Sequence, residues 1–336
     1  MTGVKALVII SSMLWLSPPQ RGIYLSAPGV ANSHTLRVVV EWVDKGVLNC
    51  VVIDFKNDKG FVCYPSRDSL VKSIGGVSPF IKKPQHLIEQ LHKKGVYVIA
   101  RIVLFKDSIL AHYNEGIYAL KEDNGIYRDD NGVFWTDPTS PFVHSYNIAI
   151  AREVAGFGVD EIQFDYIRFP SCAGWHTQQP LIVSKTDVLC NFLERAYNEL
   201  SPMGVRLSID LYGWAAWWDS LPQEGQSIAE MGKFVDAIYP MLYPSHFGNN
   251  FLLKETKEQR THDIISQGVK QAKRKTPSKR IVAFIQGFPW KRSTLGEHFI
   301  AHQLEGASKA AGWIVWHAGC DYSETFSTFD SLLAEP

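Results

Sequence analysis

Short apolar runs alternate with longer amphipathic segments along the chain from Arg21 onward, without a low-complexity linker. Short runs rich in β-branched and aromatic residues predict buried strands, and apolar residues spaced three or four positions apart predict helices. The predicted strands are Gly22–Leu25, Leu48–Lys56, Val96–Phe105, Val159–Phe169, Arg206–Tyr212, Ala237–Tyr243, Ile281–Phe288 and Trp313–His317. The predicted helices are Leu36–Lys45, Pro84–Lys94, Pro141–Phe157, Thr186–Leu200, Ile228–Phe234, Thr256–Arg274 and Glu297–Ala310.

This alternation of strands and helices predicts parallel strands joined by right-handed crossovers. Eight such units in a chain of 336 residues predict an α/β fold, a single (β/α)8 TIM barrel that spans residues 21–336. A doubly wound open sheet is the alternative, but no Gly-x-Gly-x-x-Gly sequence follows the first strand, which removes its usual dinucleotide-binding variant. The longest connections follow predicted strands two, three, four and six, on the face where such barrels bind substrates.

Alternate residues of a strand point to opposite faces, and the outer face of a barrel is covered by helices. In the fourth predicted strand the apolar set Ile162, Phe164 and Tyr166 is therefore expected to face outward. The polar residues between them then face the barrel axis, and the second and fifth strands repeat this arrangement. The inward residues in the later parts of these strands are Asp54, Lys56, Asp165, Asp210 and Tyr212.

The three inward aspartates are expected to meet at the C-terminal mouth of the barrel, because an unpaired ion inside the barrel would be costly. Arg101, near the end of the third strand, is the natural partner between Asp54 and Asp165, where it would orient a nucleophile or neutralise the cluster. In a second interpretation the aspartates are members of structural salt bridges with Lys56, Arg101 and Arg168. Three aspartates on three strands of one barrel favour the functional interpretation.

Glycoside hydrolysis requires two carboxyl groups that flank the scissile bond, one as acid and the other as nucleophile or base. Asp165 and Asp210 end adjacent strands and are expected to stand about 5–6 Å apart, near the separation of retaining enzymes. We assign Asp165 as the nucleophile and Asp210 as the acid/base. Predicted strands six and seven offer no carboxylate at their mouth ends, so no other pair competes.

Aromatic rings at the same rim suit stacking on pyranose faces, and polar groups there suit hydrogen bonds to sugar hydroxyls. Packing in the core is the alternative for any single ring, and His317 fits equally well a satisfied core histidine. The residues predicted to bind substrate are Asp54, Lys56, Arg101, Tyr166, Arg168, Tyr212, Trp214, Tyr243, Gln286, Trp316 and His317.

Charge and cysteine content limit the kinds of molecule that the protein is expected to bind. Lys plus Arg and Asp plus Glu number 34 each, so no global field favours nucleic acid or an anionic membrane. The five cysteines show neither C-x-x-C spacing nor a disulfide framework. The first strand also lacks the His-x-His of metal-dependent hydrolases of this fold. We therefore expect a carbohydrate substrate, no metal and no cofactor.

Residues 1–20 have the shape of a signal peptide, because Lys5 precedes an apolar run from Ala6 to Leu16 that a Ser-Pro-Pro sequence then breaks. The run is too short to span a bilayer comfortably, and no second long apolar stretch follows. Export to the periplasm or the extracellular space is the expectation. The alternatives are an uncleaved anchor, or an apolar segment packed under the barrel of a cytoplasmic protein.

The most specific sequence block of the chain is Phe-Asp-Tyr-Ile-Arg-Phe-Pro at residues 164–170. With this block the chain resembles, over about Gly22 to Tyr322, a family of glycoside hydrolase-like TIM barrels long classed as a domain of unknown function. The resemblance implies a barrel grouped with carbohydrate-active enzymes of the α-amylase type, with Asp165 as the nucleophile. The other blocks that carry the resemblance are residues 21–25, 49–58, 208–213 and 239–244.

Residues 159–166 are also similar to the chitinase motif of alternating acids, but the chitinase acid would fall at Ile167. A substrate-assisted chitinase mechanism would therefore lack its proton donor. A function of another class stays open, a non-catalytic glycan-binding barrel that keeps the cleft and has lost hydrolysis. A salt bridge to Asp210, or a carboxyl separation well beyond about 10 Å, would favour that alternative.

Overall fold

The chain is described by a computed structural model over residues 19–254 and 256–334. The strands are β1 (Gln20–Leu25), β2 (Cys50–Lys56), β3 (Tyr97–Val103), β4 (Glu161–Asp165), β5 (Arg206–Tyr212), β6 (Ala237–Met241), β7 (Arg280–Ile281 and Ala283–Gln286) and β8 (Gly312–Trp316). These parallel strands pair in sequence order, and β8 pairs with β1, so that the sheet closes into a barrel. The predicted (β/α)8 barrel is thus confirmed.

Helices cover the outside of the barrel, and a two-stranded antiparallel hairpin lies in the long connection between β3 and β4. The hairpin pairs Lys121–Glu122 with Gly125–Ile126. The helices are α1 (Ala27–Ala31), α2 (Ser33–Asp44), α3 (Ser69–Ser73), α4 (Pro84–Lys93), α5 (Ser108–His112), α6 (Pro141–Ala155), α7 (Lys185–Leu200), α8 (Ile228–Met231), α9 (Lys257–Lys275), α10 (Phe299–Gly306) and α11 (Ser323–Ala334).

Local capping explains where the long helices begin. The Ser140 hydroxyl accepts a hydrogen bond from the amide of Val143, and Pro141 occupies the first turn of α6. The Ser184 hydroxyl accepts from the amide of Asp187 at the start of α7 in the same way. A capping hydroxyl satisfies one of the amides that lack a partner within the first helical turn. Helices α6 and α7 begin at Pro141 and Lys185, within one residue of the predicted first residues Pro141 and Thr186.

The core has two layers, as the strand pleat requires. Val51 and Ile53 of β2 and Phe164 of β4 pack outward in a cluster with the apolar faces of the helices. Val52 and Ile99 have the opposite orientation and belong to a second cluster inside the barrel. The barrel interior is therefore filled by side chains, so a ligand would bind among the loops at an end of the barrel and not inside it.

The fourth predicted strand is four residues too long at its C-terminal end, since β4 ends at Asp165. Tyr166 adopts a left-handed backbone conformation with φ of 51°. A strand cannot continue through such a residue, so the alternation that would point Tyr166 outward stops there. This explains why the outward orientation predicted for Tyr166 is wrong.

Of the predicted N-terminal leader, residues 1–18 lie outside the described residues. In the part of the chain that is described, no helix has both the length and the apolar character needed to cross a bilayer.

Gly22 of β1 lies between Cys50 of β2 and Ile314 of β8. A Cβ atom there would stand 2.6 Å from the Cys50 carbonyl oxygen and 2.8 Å from Cδ1 of Ile314. We expect Gly22→Ala to lower the free energy of unfolding by about 1–3 kcal/mol in urea denaturation, because the strands would have to separate. Gly248→Ala is the control, since no heavy atom lies within 4 Å of its added Cβ. Equal midpoints for both variants would contradict this account of the packing.

Candidate active site

A cavity of about 500 Å³ opens at the C-terminal ends of the barrel strands. Nine of the residues predicted from the sequence line it together, namely Arg101, Asp165, Tyr166, Arg168, Asp210, Tyr212, Trp214, Tyr243 and Trp316. The lining is completed by Gly213, Met241, His246, Phe247, Phe284, Trp290 and Lys291. The cavity therefore combines two carboxyl groups with several cationic side chains and a wall of aromatic rings.

Arg101 of β3 joins two of the three inward aspartates. Its Nη1 donates to Oδ1 of Asp54 at 2.6 Å, and its Nε and Nη2 donate to Oδ2 of Asp165 at 2.9 and 2.6 Å. All three side chains are nearly excluded from solvent. Burial by itself would lower the pKa of Arg101, but the charges of Asp54 and Asp165 outweigh it and raise that pKa well above its usual value. Arg101 is thus a permanent cation between the two carboxylates, as the sequence predicted.

Asp54 supports this arrangement from below and does not line the cavity. Its Oδ2 accepts a hydrogen bond from the hydroxyl of Tyr24 at 2.5 Å. The Tyr24 ring stacks on Trp316, with ring centroids 3.8 Å apart, and the Arg101 guanidinium lies 5.0 Å from the Trp316 centroid. Tyr24, which sequence reasoning missed, therefore connects Asp54 to the aromatic wall.

The backbone turn after β4 places Asp165 at the cavity. Oδ1 of Asp165 accepts a hydrogen bond from the amide of Tyr166 at 2.6 Å, while its Oδ2 is held by Arg101. The left-handed conformation of Tyr166 then brings the following residues of the loop over the mouth. This turn brings Tyr166 and Arg168 to the cavity wall beside Asp165.

Asp210 of β5 lies in a different environment. Its side chain is buried, and its Oδ1 has no hydrogen-bond partner among the described residues. Burial, and secondly the charge of Asp165, raise the pKa of Asp210 well above its usual value. An isolated buried carboxyl group favours its protonated form, because the charged form loses its hydration. The two carboxyl groups of one cavity thus differ in their solvation and in their partners.

The strand register accounts for their proximity. Phe164 of β4 pairs with Ile209 of β5, so the next positions along the two strands are Asp165 and Asp210. Neighbouring strands of a sheet are about 4.8 Å apart, and both side chains line the same cavity.

Within residues 19–254 and 256–334, Arg168 forms no salt bridge of the kind that the second interpretation offered for it. Its guanidinium lies over the rings of Trp135, Tyr166 and Tyr212, at 4.7, 5.0 and 4.7 Å from their centroids. Nη1 of Arg168 donates to the carbonyl oxygen of Phe169 at 3.1 Å. The side chain is held in place by aromatic contacts and a backbone hydrogen bond.

Lys56 lies away from the cavity, in contrast to its predicted role. The pairing of β2 with β3 shifts register between Asp54 and Lys56, which breaks the alternation used in the prediction. The Lys56 ammonium forms a fully buried ion pair with Asp107 at 2.8 Å and donates to Oδ1 of Asn147 in α6 at 3.1 Å. It therefore anchors the connection after β3 to a helix of the outer layer.

Gln286 and His317 also lie outside the cavity lining. Gln286 accepts a hydrogen bond from the amide of Ser245 and donates to the carbonyl oxygens of Phe288 and Trp290. It thus holds together the loops that follow β6 and β7. Nδ1 of His317 accepts from the amide of Gly319 at 3.1 Å, which is a local loop contact.

Sequence reasoning missed the contributions of the loop after β6 and of Lys291. His246 and Phe247 follow the Tyr-Pro-Ser sequence there, and Lys291 lies next to Trp290 on the loop after β7. These loop positions have no periodicity that a pattern could reveal. Their only indication was that they follow barrel strands on the substrate-binding face.

Among the residues described, no group of three or more His, Cys, Asp or Glu side chains is arranged to hold a metal ion.

Residues 22–322 match the sequence pattern of a family described as "Putative glycosyl hydrolase domain". A hypothetical protein from Ruminiclostridium thermocellum ATCC 27405 is 33% identical, with a TM-score of 0.52, over 56% of this chain and 97% of that one. No curated protein is matched by the sequence.

Two more distant structures share the fold. The glycoside hydrolase domain of PgaB (BpsB) from Bordetella bronchiseptica is 12% identical with a TM-score of 0.66, over 91% of this chain and 98% of that domain. The noncanonic maltogenic α-amylase AmyB from Thermotoga neapolitana is 14% identical with a TM-score of 0.54, over 91% of this chain and 69% of the amylase. At these identities the likeness is one of fold alone.

Removal of the Arg101 cation should be costly, because it leaves Asp54 and Asp165 buried without their partner. We expect Arg101→Met to lower the free energy of unfolding by about 3–5 kcal/mol. Arg152→Met is the matched control, since Arg152 forms an exposed ion pair with Glu199 at 3.7 Å and should cost less than about 1 kcal/mol. Chemical denaturation at neutral pH measures both, and similar losses would contradict the role given to Arg101.

Asp210 should make the stability of the fold fall as pH rises. The folded state holds its proton more tightly than the unfolded chain, so the free energy of unfolding decreases above about pH 4, the usual pKa of a carboxyl group. Asp210→Asn has no proton to lose. We expect its advantage in stability over the unsubstituted protein to be small at about pH 4 and to exceed about 1 kcal/mol by about pH 8.

Thermal and urea unfolding across this pH range measure that difference. Asp123→Asn, at an exposed position in the hairpin turn, is the control for the chemical change. If the difference in free energy of unfolding between Asp210→Asn and the unsubstituted protein does not vary with pH, the Asp210 carboxyl group is not held protonated.

Proposed function

The chain belongs to the family described as "Putative glycosyl hydrolase domain", whose pattern spans residues 22–322, and from that premise we propose that it hydrolyses a poly- or oligosaccharide by a retaining mechanism with two carboxyl groups. The observation that carries the proposal is the contrast between Asp165 and Asp210. They occupy neighbouring positions of adjacent strands at one cavity, and one is ion-paired while the other is buried without an ionic partner.

In the first step Asp165 is the nucleophile. Its carboxylate attacks the anomeric carbon and forms an ester bond to the sugar, while the glycosidic bond breaks. Asp210 gives its proton to the departing glycosidic oxygen and becomes a carboxylate. The ion pair with Arg101 suits Asp165 to this role, because two hydrogen bonds from the guanidinium hold its carboxylate in a defined orientation at the cavity.

In the second step Asp210 acts as a base. A water molecule loses a proton to Asp210 and attacks the anomeric carbon, and Asp165 leaves as a carboxylate. Esterification has by then removed the negative charge of Asp165, which is one of the causes that raise the pKa of Asp210. The pKa of Asp210 therefore falls in the intermediate, as a residue that changes from acid to base requires.

The aromatic wall supports a sugar ligand. Tyr212, Trp214 and Trp316 are partly exposed at the cavity, so each ring retains surface for contact with a pyranose face. Tyr243 is fully packed against Phe288 and His246 and is better placed to hold the loops than to stack on a sugar.

A non-catalytic glycan-binding barrel is the competing function. A salt bridge to Asp210 would have favoured it, but Asp210 forms no ion pair among the described residues and lines the same cavity as Asp165. This arrangement supports the catalytic proposal.

A panel of polysaccharides and chromogenic glycosides, assayed with the protein and with matched Asp→Asn variants, tests the proposal. We expect Asp165→Asn and Asp210→Asn each to lower kcat by at least about 100-fold, and Asp123→Asn to leave it unchanged. Nuclear magnetic resonance of the first-formed product should show a retained anomeric configuration.

Full turnover in either site variant would refute the assignment of roles, and an inverted product would refute the retaining mechanism. Binding of a glycan without turnover by the unsubstituted protein would favour the glycan-binding alternative. Thermal unfolding of each variant checks that a loss of turnover does not come from loss of the fold.

A further inference from the structure

Arg168 is a buried cation at the cavity without an acidic partner. Its residue is only 9% exposed, yet no carboxylate of the described residues forms an ion pair with it. Nη1 of Arg168 donates to the carbonyl oxygen of Phe169 at 3.1 Å and makes a long contact of 3.5 Å with the hydroxyl of Ser171. Buried charges are normally paired, because burial removes their hydration. The residues that the structure describes therefore leave this charge without an ion pair.

The surrounding rings hold the guanidinium without neutralising it. Trp135, Tyr166 and Tyr212 contact it with their faces, which restricts its plane and replaces part of its hydration. The Nε and Nη2 groups donate to no atom of the described residues. A guanidinium has five N–H donors in a planar fork, so most of its hydrogen-bonding capacity is left for a ligand.

Neighbouring acidic side chains are already engaged. Asp129 accepts from the Trp135 indole at 3.1 Å and forms an ion pair with Lys106 at 3.4 Å. Asp130 is exposed and accepts from the thiol of Cys172. Neither carboxylate is an ion-pair partner of Arg168.

The charges of the cavity add to this imbalance. Arg101 is paired with two carboxylates, Asp54 and Asp165, so this cluster has one net negative charge. The two cations Arg168 and Lys291 exceed that charge, and Asp210 favours its neutral form. Lys291 lies exposed at the rim; burial of the His246 ring, and secondly the charge of Lys291, lower the pKa of His246. The wall that carries Arg168 and the rim that carries Lys291 therefore give the cavity an excess of positive charge.

We propose that Arg168 binds an anionic substituent of the glycan, so that the substrate is an acidic polysaccharide. The planar fork of a guanidinium matches the two oxygens of a uronic acid carboxylate, and a sulfate ester presents the same kind of acceptor. This inference rests on the proposed function, because it takes from it that the ligand is a glycan. It adds that Arg168 selects an acidic sugar over a neutral one of the same shape.

The test measures glycan binding to the Asp210→Asn variant. This variant lacks the proposed acid/base residue, so it should bind a substrate without hydrolysing it, and its asparagine keeps that position uncharged. The probes are glucuronic, galacturonic and mannuronic acid oligosaccharides, each paired with its methyl ester, and sulfated galactan oligosaccharides as a separate arm. We expect at least one acidic probe to bind about 10- to 100-fold more tightly than its neutral counterpart, as measured by titration calorimetry. The arm that shows the preference identifies the anion as carboxylate or sulfate.

Further substitutions in this background assign the preference to Arg168. Arg168→Gln should abolish the preference, and Arg168→Lys should restore part of it, since lysine keeps the charge and loses the fork. Arg152→Gln is the control for a cation away from the cavity and should leave the affinity unchanged, because Arg152 forms an exposed ion pair with Glu199. Near-ultraviolet circular dichroism checks that the aromatic contacts survive each substitution.

Equal binding of acidic and neutral probes, or equal weakening of both by Arg168→Gln, overturns the inference. Hydrolysis of neutral glycans as fast as of acidic ones overturns it while the proposed hydrolase function stands. A third outcome is that the protein prefers acidic probes and Arg168→Gln removes this preference, but the unsubstituted protein hydrolyses none of them. That result supports the role of Arg168 in binding and overturns the hydrolase proposal.

Discussion

The organisation of the cavity depends on one buried cation that holds two carboxylates. Arg101 forms short charge-assisted hydrogen bonds to Asp54 and Asp165, and all three lie where the barrel interior meets its mouth. Burial raises the pKa of Asp54, and the charge of Arg101 opposes that rise. The pair of bonds also sets the orientation of Asp165, and the contact of Arg101 with Trp316 joins the ionic cluster to the aromatic wall.

The same constraint creates the contrast between the two cavity carboxyl groups. Arg101 is engaged by Asp54 and Asp165, so Asp210 has no cation in contact with it among the described residues. Burial and the charge of Asp165 then favour a proton on Asp210. Two chemically identical side chains on adjacent strands thus acquire the different properties that an acid and a nucleophile need.

The aromatic residues that line the cavity or lie behind its wall have two kinds of role. Tyr24 and Trp135 hold the charged groups in place, through a hydrogen bond to Asp54 and through the contact with Arg168. Trp214 and Trp316 keep partly exposed faces at the cavity. The first kind defines where charges lie, and the second offers surface to a ligand.

The sequence alone determined the barrel, the convergence of three aspartates and the partnership of Arg101 with two of them. These follow from local rules, since strand and helix periods repeat along the chain and the pleat assigns each polar residue of a regular strand to one face. The rules hold for Asp54, Asp165 and Asp210 because these residues lie in the regular parts of β2, β4 and β5, and in β2 the register shift comes only after Asp54. The leader of residues 1–20 stays a prediction from the sequence.

Only the tertiary structure decided what happens where the regular strands end. Lys56 follows a register shift and Tyr166 follows a left-handed turn, so alternation misplaced both. The partners of Gln286 and the aromatic surroundings of Arg168 come from segments far apart in the chain. The protonation of Asp210 likewise depends on burial and on the charge of a neighbouring strand. Such properties arise from contacts between distant residues, which no local pattern of the sequence encodes.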